Sequence, residues 1–98
     1  MLTNKQKKYL RAIGNKKKSL FQIGKDGLSY NLFNTVSDSL EAHELVKVNV
    51  LKSCVEDFEE LTFDLAANTH SEVVQVIGRT ILLYRPSKKH HVIEVPND

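Results

Sequence analysis

The chain has 98 residues and a mass of 11.2 kDa, one domain's worth of sequence with no room for a second core. A hydrophobic fraction of 41% and a charged fraction of 27% are ordinary for a globular protein, and no apolar run approaches the ~20 residues of a membrane-spanning helix. The polar start MLTNKQKKYL does not read as a secretory leader, and a single cysteine, Cys54, excludes a disulfide framework, so a soluble protein of the reducing cytoplasm is expected.

The formal net charge of +2 hides a strong segregation. Residues 1–25 carry Lys5, Lys7, Lys8, Arg11, Lys16, Lys17, Lys18 and Lys25 and no carboxylate. Residues 26–78 carry ten carboxylates against Lys47 and Lys52, and the remainder turns basic again through Arg79, Arg85, Lys88 and Lys89. Such blocks predict a basic face for a polyanion, with the acidic surface turned elsewhere.

The first element in chain order is a helix over about Thr3–Gly14. Leu2, Gln6, Tyr9, Leu10 and Ile13 share one arc of its wheel, with Lys5, Lys7, Lys8 and Arg11 opposite, and Gly14-Asn15 supplies the stop. Ser19–Ile23 has the composition of a buried strand ended by Gly24. A second helix follows the Gly24–Ser29 turn, N-capped by Ser29 and running to about His43 on a stripe of Leu32, Phe33, Val36 and Leu40. Leu45–Leu51 is a strand with Val46, Val48 and Val50 on one face. Ser53-Cys54-Val55-Glu56 fits a capping box opening a third, acid-rich helix through Phe58, Leu61, Thr62 and Leu65 to about Asn68. Val73–Ile77 and Thr80–Tyr84 flank Gly78-Arg79, whose leading glycine favours a type II′ hairpin. Pro86 then ends the sheet and leaves a short basic tail from about residue 87, with His90-His91 in it. The order α-β-α-β-α-β-β implies an α/β domain over residues 1–98, a four-stranded mixed sheet with helices packed against it.

Chemistry concentrates at Gly24-Lys25-Asp26-Gly27. Two glycines allow a sharp bend with no Cβ to hold a phosphate away, the following helix directs N–H groups towards the bend, and Lys25 adds a charge at its tip. A G-x-x-G loop is also the device with which KH domains clamp a nucleic-acid backbone. A nucleotide-hydrolysing P-loop is excluded by spacing. His43, His70, His90 and His91 have no partners at metal-ligand spacing, and His43, beside an apolar stripe, reads as a hydrogen-bonded structural residue. No nucleophile–base arrangement is present, and neither a cofactor nor a metal is expected. Phe21, Phe33, Phe58 and Phe63 read as core or near-core residues, so contacts to phosphate and shape are expected in place of base-stacking on a sheet.

Three blocks in order, Gly24-Lys25-Asp26-Gly27-Leu28-Ser29, His43-Glu44-Leu45-Val46-Lys47-Val48 and Gln75-Val76-Ile77-Gly78-Arg79-Thr80-Ile81-Leu82-Leu83-Tyr84-Arg85-Pro86, resemble the signature of the CRM domain, nearest to its stand-alone bacterial YhbY-like members. The resemblance implies a fold similar to the C-terminal domain of translation initiation factor three. It also implies RNA binding through the G-x-x-G loop and the neighbouring basic surface, and association with precursors of the large ribosomal subunit. Plant relatives assist intron splicing. The expected contact set is Gly24, Lys25, Asp26 and Gly27, with Lys5, Lys8, Arg11, Lys16, Lys17 and Lys18, extended by Arg79, Arg85, Lys88 and Lys89. The expected protein is a non-catalytic, cytoplasmic monomer whose partner is RNA and not a membrane; the alternative is a protein–protein adaptor in ribosome assembly that works through the acidic third helix.

Overall fold

The computed structural model describes residues 2–89 and 91–96; Met1, His90, Asn97 and Asp98 lie outside the described residues. Helices α1 (Asn4–Gly14), α2 (Tyr30–His43) and α3 (Phe58–Asn68) alternate with strands β1 (Phe21–Ile23), β2 (Leu45–Val50), β3 (Glu72–Ile77) and β4 (Thr80–Tyr84). The strands form one mixed sheet in the order β1-β2-β4-β3. β1 and β2 are parallel, and β4 lies antiparallel between β2 and β3. The hairpin turn has positive φ at Gly78 and not at Arg79, the pattern of the type II′ geometry. None of the helices described is long and apolar enough to cross a membrane.

The helix ends follow local chemistry. Thr3 and Gln6 form a reciprocal capping box on α1, and the Ser29 hydroxyl accepts from Leu32 N–H at the start of α2. The box expected at Ser53–Glu56 does not form. Cys54 drops into the core and its N–H donates to the Leu51 carbonyl, so the chain is still turning there. α3 starts four residues later, capped by Asp57, which accepts from Glu60 N–H. The first strand is also shorter than Ser19–Ile23. Only Phe21–Ile23 pair, with Val48–Val50; Leu20 donates its N–H to Lys47 but leaves its side chain exposed.

The sheet has two unlike faces. Val46, Val48, Val50, Ile81 and Leu83 point into a core closed by Val36 and Leu40 of α2 and Leu61 and Leu65 of α3. Leu45, Leu82 and Tyr84 point the other way, against Leu10 of α1 and Ile93 of the C-terminal segment. α1 approaches closely because Gly14 has no side chain: a Cβ there would stand 2.5 Å from Leu82 Cδ2. Phe21, Phe33 and Phe58 pack against the first core as expected, whereas Phe63 is 73% exposed because Leu61 and Leu65 already define the buried stripe of α3. His43 is likewise exposed, at the last turn of α2, instead of serving as a buried structural histidine.

The C-terminal segment is a packed element and not a loose basic tail. Glu44, fully buried with φ 66°, closes α2 and receives the N–H groups of Ser87, Val92 and Ile93 on its carboxylate, with His91 Nδ1 at 3.1 Å. Burial opposes ionisation, but the donors from Ser87, Ile93 and Val92, aided by His91, outweigh it and hold the Glu44 pKa below the usual carboxylate value. A carboxyl with a depressed folded-state pKa contributes its stability in full above its unfolded pKa of ~4.3, and loses it as pH falls through the folded value. Glu44→Gln, which removes the charge and sets an NH2 group against the N–H donors of one carboxylate oxygen, is expected to cost about 2–4 kcal/mol at neutral pH. The gap from wild type should close as pH falls below ~4. Urea unfolding at the two pH values measures both; equal neutral-pH stability would remove Glu44 as the anchor.

Candidate nucleic-acid interface

At the C-terminal end of β1 the Gly24 carbonyl accepts the Gly27 N–H at 3.0 Å, making a tight turn with Lys25 and Asp26 exposed at its tip. Gly27 has φ +66°, and a Cβ there would collide with the Glu56 carboxylate. That carboxylate accepts the Leu28 N–H at 2.9 Å. Gly24 is different: a Cβ would meet nothing closer than Leu51 Cδ1 at 3.6 Å. The amides near the start of α2 are therefore partly claimed, by Ser29 for Leu32 and by Glu56 for Leu28, while among the described residues Lys25 and Asp26 N–H have no partner. The loop offers an anion two amides and one lysine, and meets it with two carboxylates, Asp26 and Glu56.

A larger basic surface lies on the α1 face of the sheet. α1 and the C-terminal segment cover the half of that face containing Leu45, Leu82 and Tyr84, and leave Gln22, Lys47, Asn49, Gln75, Ile77 and Thr80 unburied. Lys47 stands at the centre, its ammonium donating to the Lys17 carbonyl at 3.0 Å. It borders two cavities, one of about 230 Å³ shared with Lys17, Lys18, Leu20 and His43, and one of about 160 Å³ shared with Asn15, Gln75, Ile77 and Thr80. A third cavity, of about 410 Å³, lies along α1 between Tyr9 and Lys16–Lys17.

The expected contact residues divide into three groups. Lys5 and Lys8 are exposed on α1, with Arg11 half-buried beside them, and Lys16, Lys17 and Lys18 continue from its C-terminal end onto the sheet beside Lys47. Gly24, Lys25, Asp26 and Gly27 lie at the far end of β1, two residues beyond Gln22. Arg79 stands at this same end, because β4 runs antiparallel to β2, but its guanidinium donates to the Val50 and Leu51 carbonyls and lies 5.4 Å over the Phe58 ring. Arg85, Lys88 and Lys89 are at the opposite end of the sheet. There Arg85 donates to Ser37 and to the Thr69 carbonyl, and Glu41 accepts from the Ser87 hydroxyl and the Lys88 N–H. The Ser87 hydrogen bond, against the pull of desolvation, and then the Lys89 and Lys88 amides and Arg85 hold the Glu41 pKa down.

Sequence reasoning passed over Lys47, Gln22, Asn49 and Gln75. For Lys47 and Asn49 the signal was present in Leu45-Val46-Lys47-Val48-Asn49-Val50: with the valines on the core face, the alternate positions carry Lys and Asn and describe a wet second face.

The family model for the CRS1 / YhbY (CRM) domain matches residues 2–85. The chain is 43% identical over 96 residues to the "probable RNA-binding protein YqeI" of Bacillus subtilis, covering 98% of this chain and all of that one. It is 33% identical over 88 residues to the "probable RNA-binding protein PA4753" of Pseudomonas aeruginosa, covering 90% and 85%. Among solved structures, the solution structure of hypothetical protein SAV1595 from Staphylococcus aureus superposes with a TM-score of 0.80 at 47% identity, over 98% of this chain and all of the other.

The two loop glycines should behave differently on substitution. Gly27→Ala requires a left-handed alanine and displaces Glu56, and is expected to lose about 1–2 kcal/mol or more of stability. Gly24→Ala, with free space and no positive φ, should stay within about 0.5 kcal/mol of wild type in thermal unfolding.

Proposed function

The chain belongs to the CRS1/YhbY (CRM) domain family, and from that premise we propose that it is a non-catalytic RNA-binding protein acting in the cytoplasm on ribosomal RNA of large-subunit precursors. The observation that supports this best is the division of charge by the sheet. Lys5, Lys8, Lys16, Lys17, Lys18 and Lys47 lie on the face that carries α1, whereas Asp38, Glu41, Glu59, Glu60 and Asp64 belong to the two helices on the other face. A phosphate backbone approaching the molecule is drawn to one side and repelled from the other.

In this reading α1 and Lys16–Lys18 hold the backbone of the RNA, and the strand continues over the open half of the sheet towards Gly24. The loop contributes close backbone approach at Gly24 and one cation at Lys25, and little further anion attraction, since Asp26 and Glu56 offset it. Arg79 acts mainly by pinning the C-terminal end of β2, and Arg85 by joining α2 to the end of β4.

The acidic face supports a second reading, a protein–protein adaptor, through one observation: Phe63 is exposed within a cavity of about 310 Å³ lined by Glu59, Glu60 and Asp64. Phe63→Ser together with Glu59→Gln and Glu60→Gln separates the two readings. RNA affinity should survive these changes if the basic face is the working surface, whereas an adaptor would lose its association with pre-ribosomal particles.

If about five phosphates are neutralised, log affinity for single-stranded RNA should fall against log salt with a slope of about −3.5. Removing two contacts by Lys17→Ala and Lys18→Ala should reduce the slope to about −2 and weaken all sequences alike. Fluorescence anisotropy titrations across a salt series measure this, and a salt-independent affinity would overturn the electrostatic account.

A further inference from the structure

The uncovered part of the α1 face has a composition that phosphate binding does not explain. Strand register places Gln22 opposite Asn49, Asn49 opposite Thr80, and Thr80 opposite Ile77. Directly paired residues point to the same side of a sheet, so these four make a continuous row across all four strands, ~14 Å long at ~4.8 Å per interstrand step. The adjoining row carries Lys47 and Gln75, each opposite Leu82. Leu82 lies beneath Gly14 of α1, which marks where the helix cover stops.

The row itself is uncharged. Its polar groups are two amides and a hydroxyl, bounded by Ile77, which is 60% exposed. Among the described residues, the amide nitrogens of Gln22, Asn49 and Gln75 donate no hydrogen bond to protein; Asn49 Oδ1 accepts from the Thr80 hydroxyl at 3.3 Å, which holds the Asn49 amide in one orientation. Phosphates have stronger partners nearby in Lys16, Lys17, Lys18 and Lys47. What an uncharged row of paired donors and acceptors suits is the edge of a nucleobase, and a carboxamide can meet adenine bidentately, accepting from its exocyclic amine and donating to a ring nitrogen. Exposed Ile77 and Leu20 (55% exposed) give apolar surface for base faces.

We propose that the Gln22–Asn49–Thr80–Ile77 row, with Gln75 beside it, reads bases of single-stranded RNA and favours adenine, while the flanking lysines hold the backbone. The inference rests on the RNA-binding reading above and adds selectivity to it. The division of labour is physical: cations set affinity and its salt dependence, and neutral amides set the difference between bases.

Short homopolymeric oligoribonucleotides of A, C and U, titrated by anisotropy at one salt concentration and then across a series, provide the test. Wild type should bind the adenine oligomer about tenfold more tightly than the pyrimidine ones, within the discrimination expected of a bidentate contact. Gln22→Ala with Asn49→Ala should bring the three affinities together and leave the salt slope unchanged. Because both side chains are on the open face, circular dichroism and thermal unfolding should show the variant folded. Gln22→Glu with Asn49→Asp, isosteric but acceptor-only, should lose the same preference. Equal wild-type binding of all three oligomers, a pyrimidine preference, or a preference that survives the double alanine variant would overturn the base-reading row. If a steep salt slope persisted in any of these cases, RNA binding itself would stand; absence of binding with no salt dependence would instead overturn the RNA-binding reading.

Discussion

One helix cannot cover a four-stranded sheet, and the molecule is arranged around that constraint. α1 has 11 residues and so spans ~16 Å along an axis ~10 Å across, while four strands span ~19 Å including their own width. The opposite face receives both α2 and α3 and is sealed with valine, isoleucine and leucine. On the α1 face, apolar residues stop where the cover stops: Leu45, Leu82 and Tyr84 lie beneath α1 and the C-terminal segment, and Lys47, Asn49, Thr80 and Gln22 begin beyond them. An exposed sheet face carries polar side chains because they keep their contact with water, and here those side chains are amides, a hydroxyl and an ammonium. The open polar surface follows from a shortage of helix.

The C-terminal segment makes up part of that shortage, and Glu44 allows it to do so. A segment without helix or ladder would bring unpaired N–H groups to the surface of the core, which is costly unless something accepts them. The Glu44 carboxylate accepts three, and Ile93 and Val95 then pack beside Leu10 and Ile13. Positive φ at Glu44 opposes this by about 1–2 kcal/mol, and is held because the residue ends α2, begins the approach to β2 and anchors Ser87, Val92 and Ile93 at once. Arg85 joins α2 to the end of β4 from the same region, so two charged side chains assemble the end of the sheet remote from the loop.

The parts of this arrangement that were legible in the sequence are those written in local periodicity. The spacing of Val36 and Leu40, the alternation of Val46, Val48 and Val50, the Ser29 cap and the Gly78-Arg79 turn each state their structure within a few residues. Glu56 shows the limit. Its distance from Ser53 fits a capping box, but its carboxylate finds the Leu28 N–H, 28 positions away, and Asp57 caps α3 instead. Glu44 pairs with Ser87, His91, Val92 and Ile93 across 43 or more positions, a relation no local window along the chain contains. Phe63 and His43 illustrate the converse: residue type suggested burial, but each sits on the exposed side of its helix, away from the buried stripe. For the site, the clustering of lysines before residue 26 was plain, and the alternation around Lys47 marked a wet face, whereas its approach to Lys17 becomes visible only when β1 and β2 lie side by side.

The same geometry decides how the loop and the sheet share the work. A glycine-rich bend before a helix attracts phosphate when its N–H groups are free, but here the Glu56 carboxylate already occupies the Leu28 N–H and faces Gly27. Any phosphate at that corner must bind beside a fixed negative charge, which lowers what the amides contribute. Among the described residues, the lysines at the C-terminal end of α1 form no ion pair with a carboxylate, and the carboxylates of α3 are on the far face of the sheet. Binding energy should therefore be concentrated near Lys16–Lys18 and Lys47, with the loop acting as a corner where a strand can pass close to the backbone at Gly24. In the proposed division the loop's tight turn would fix the path of an RNA strand, and the sheet and its lysines would supply affinity along it.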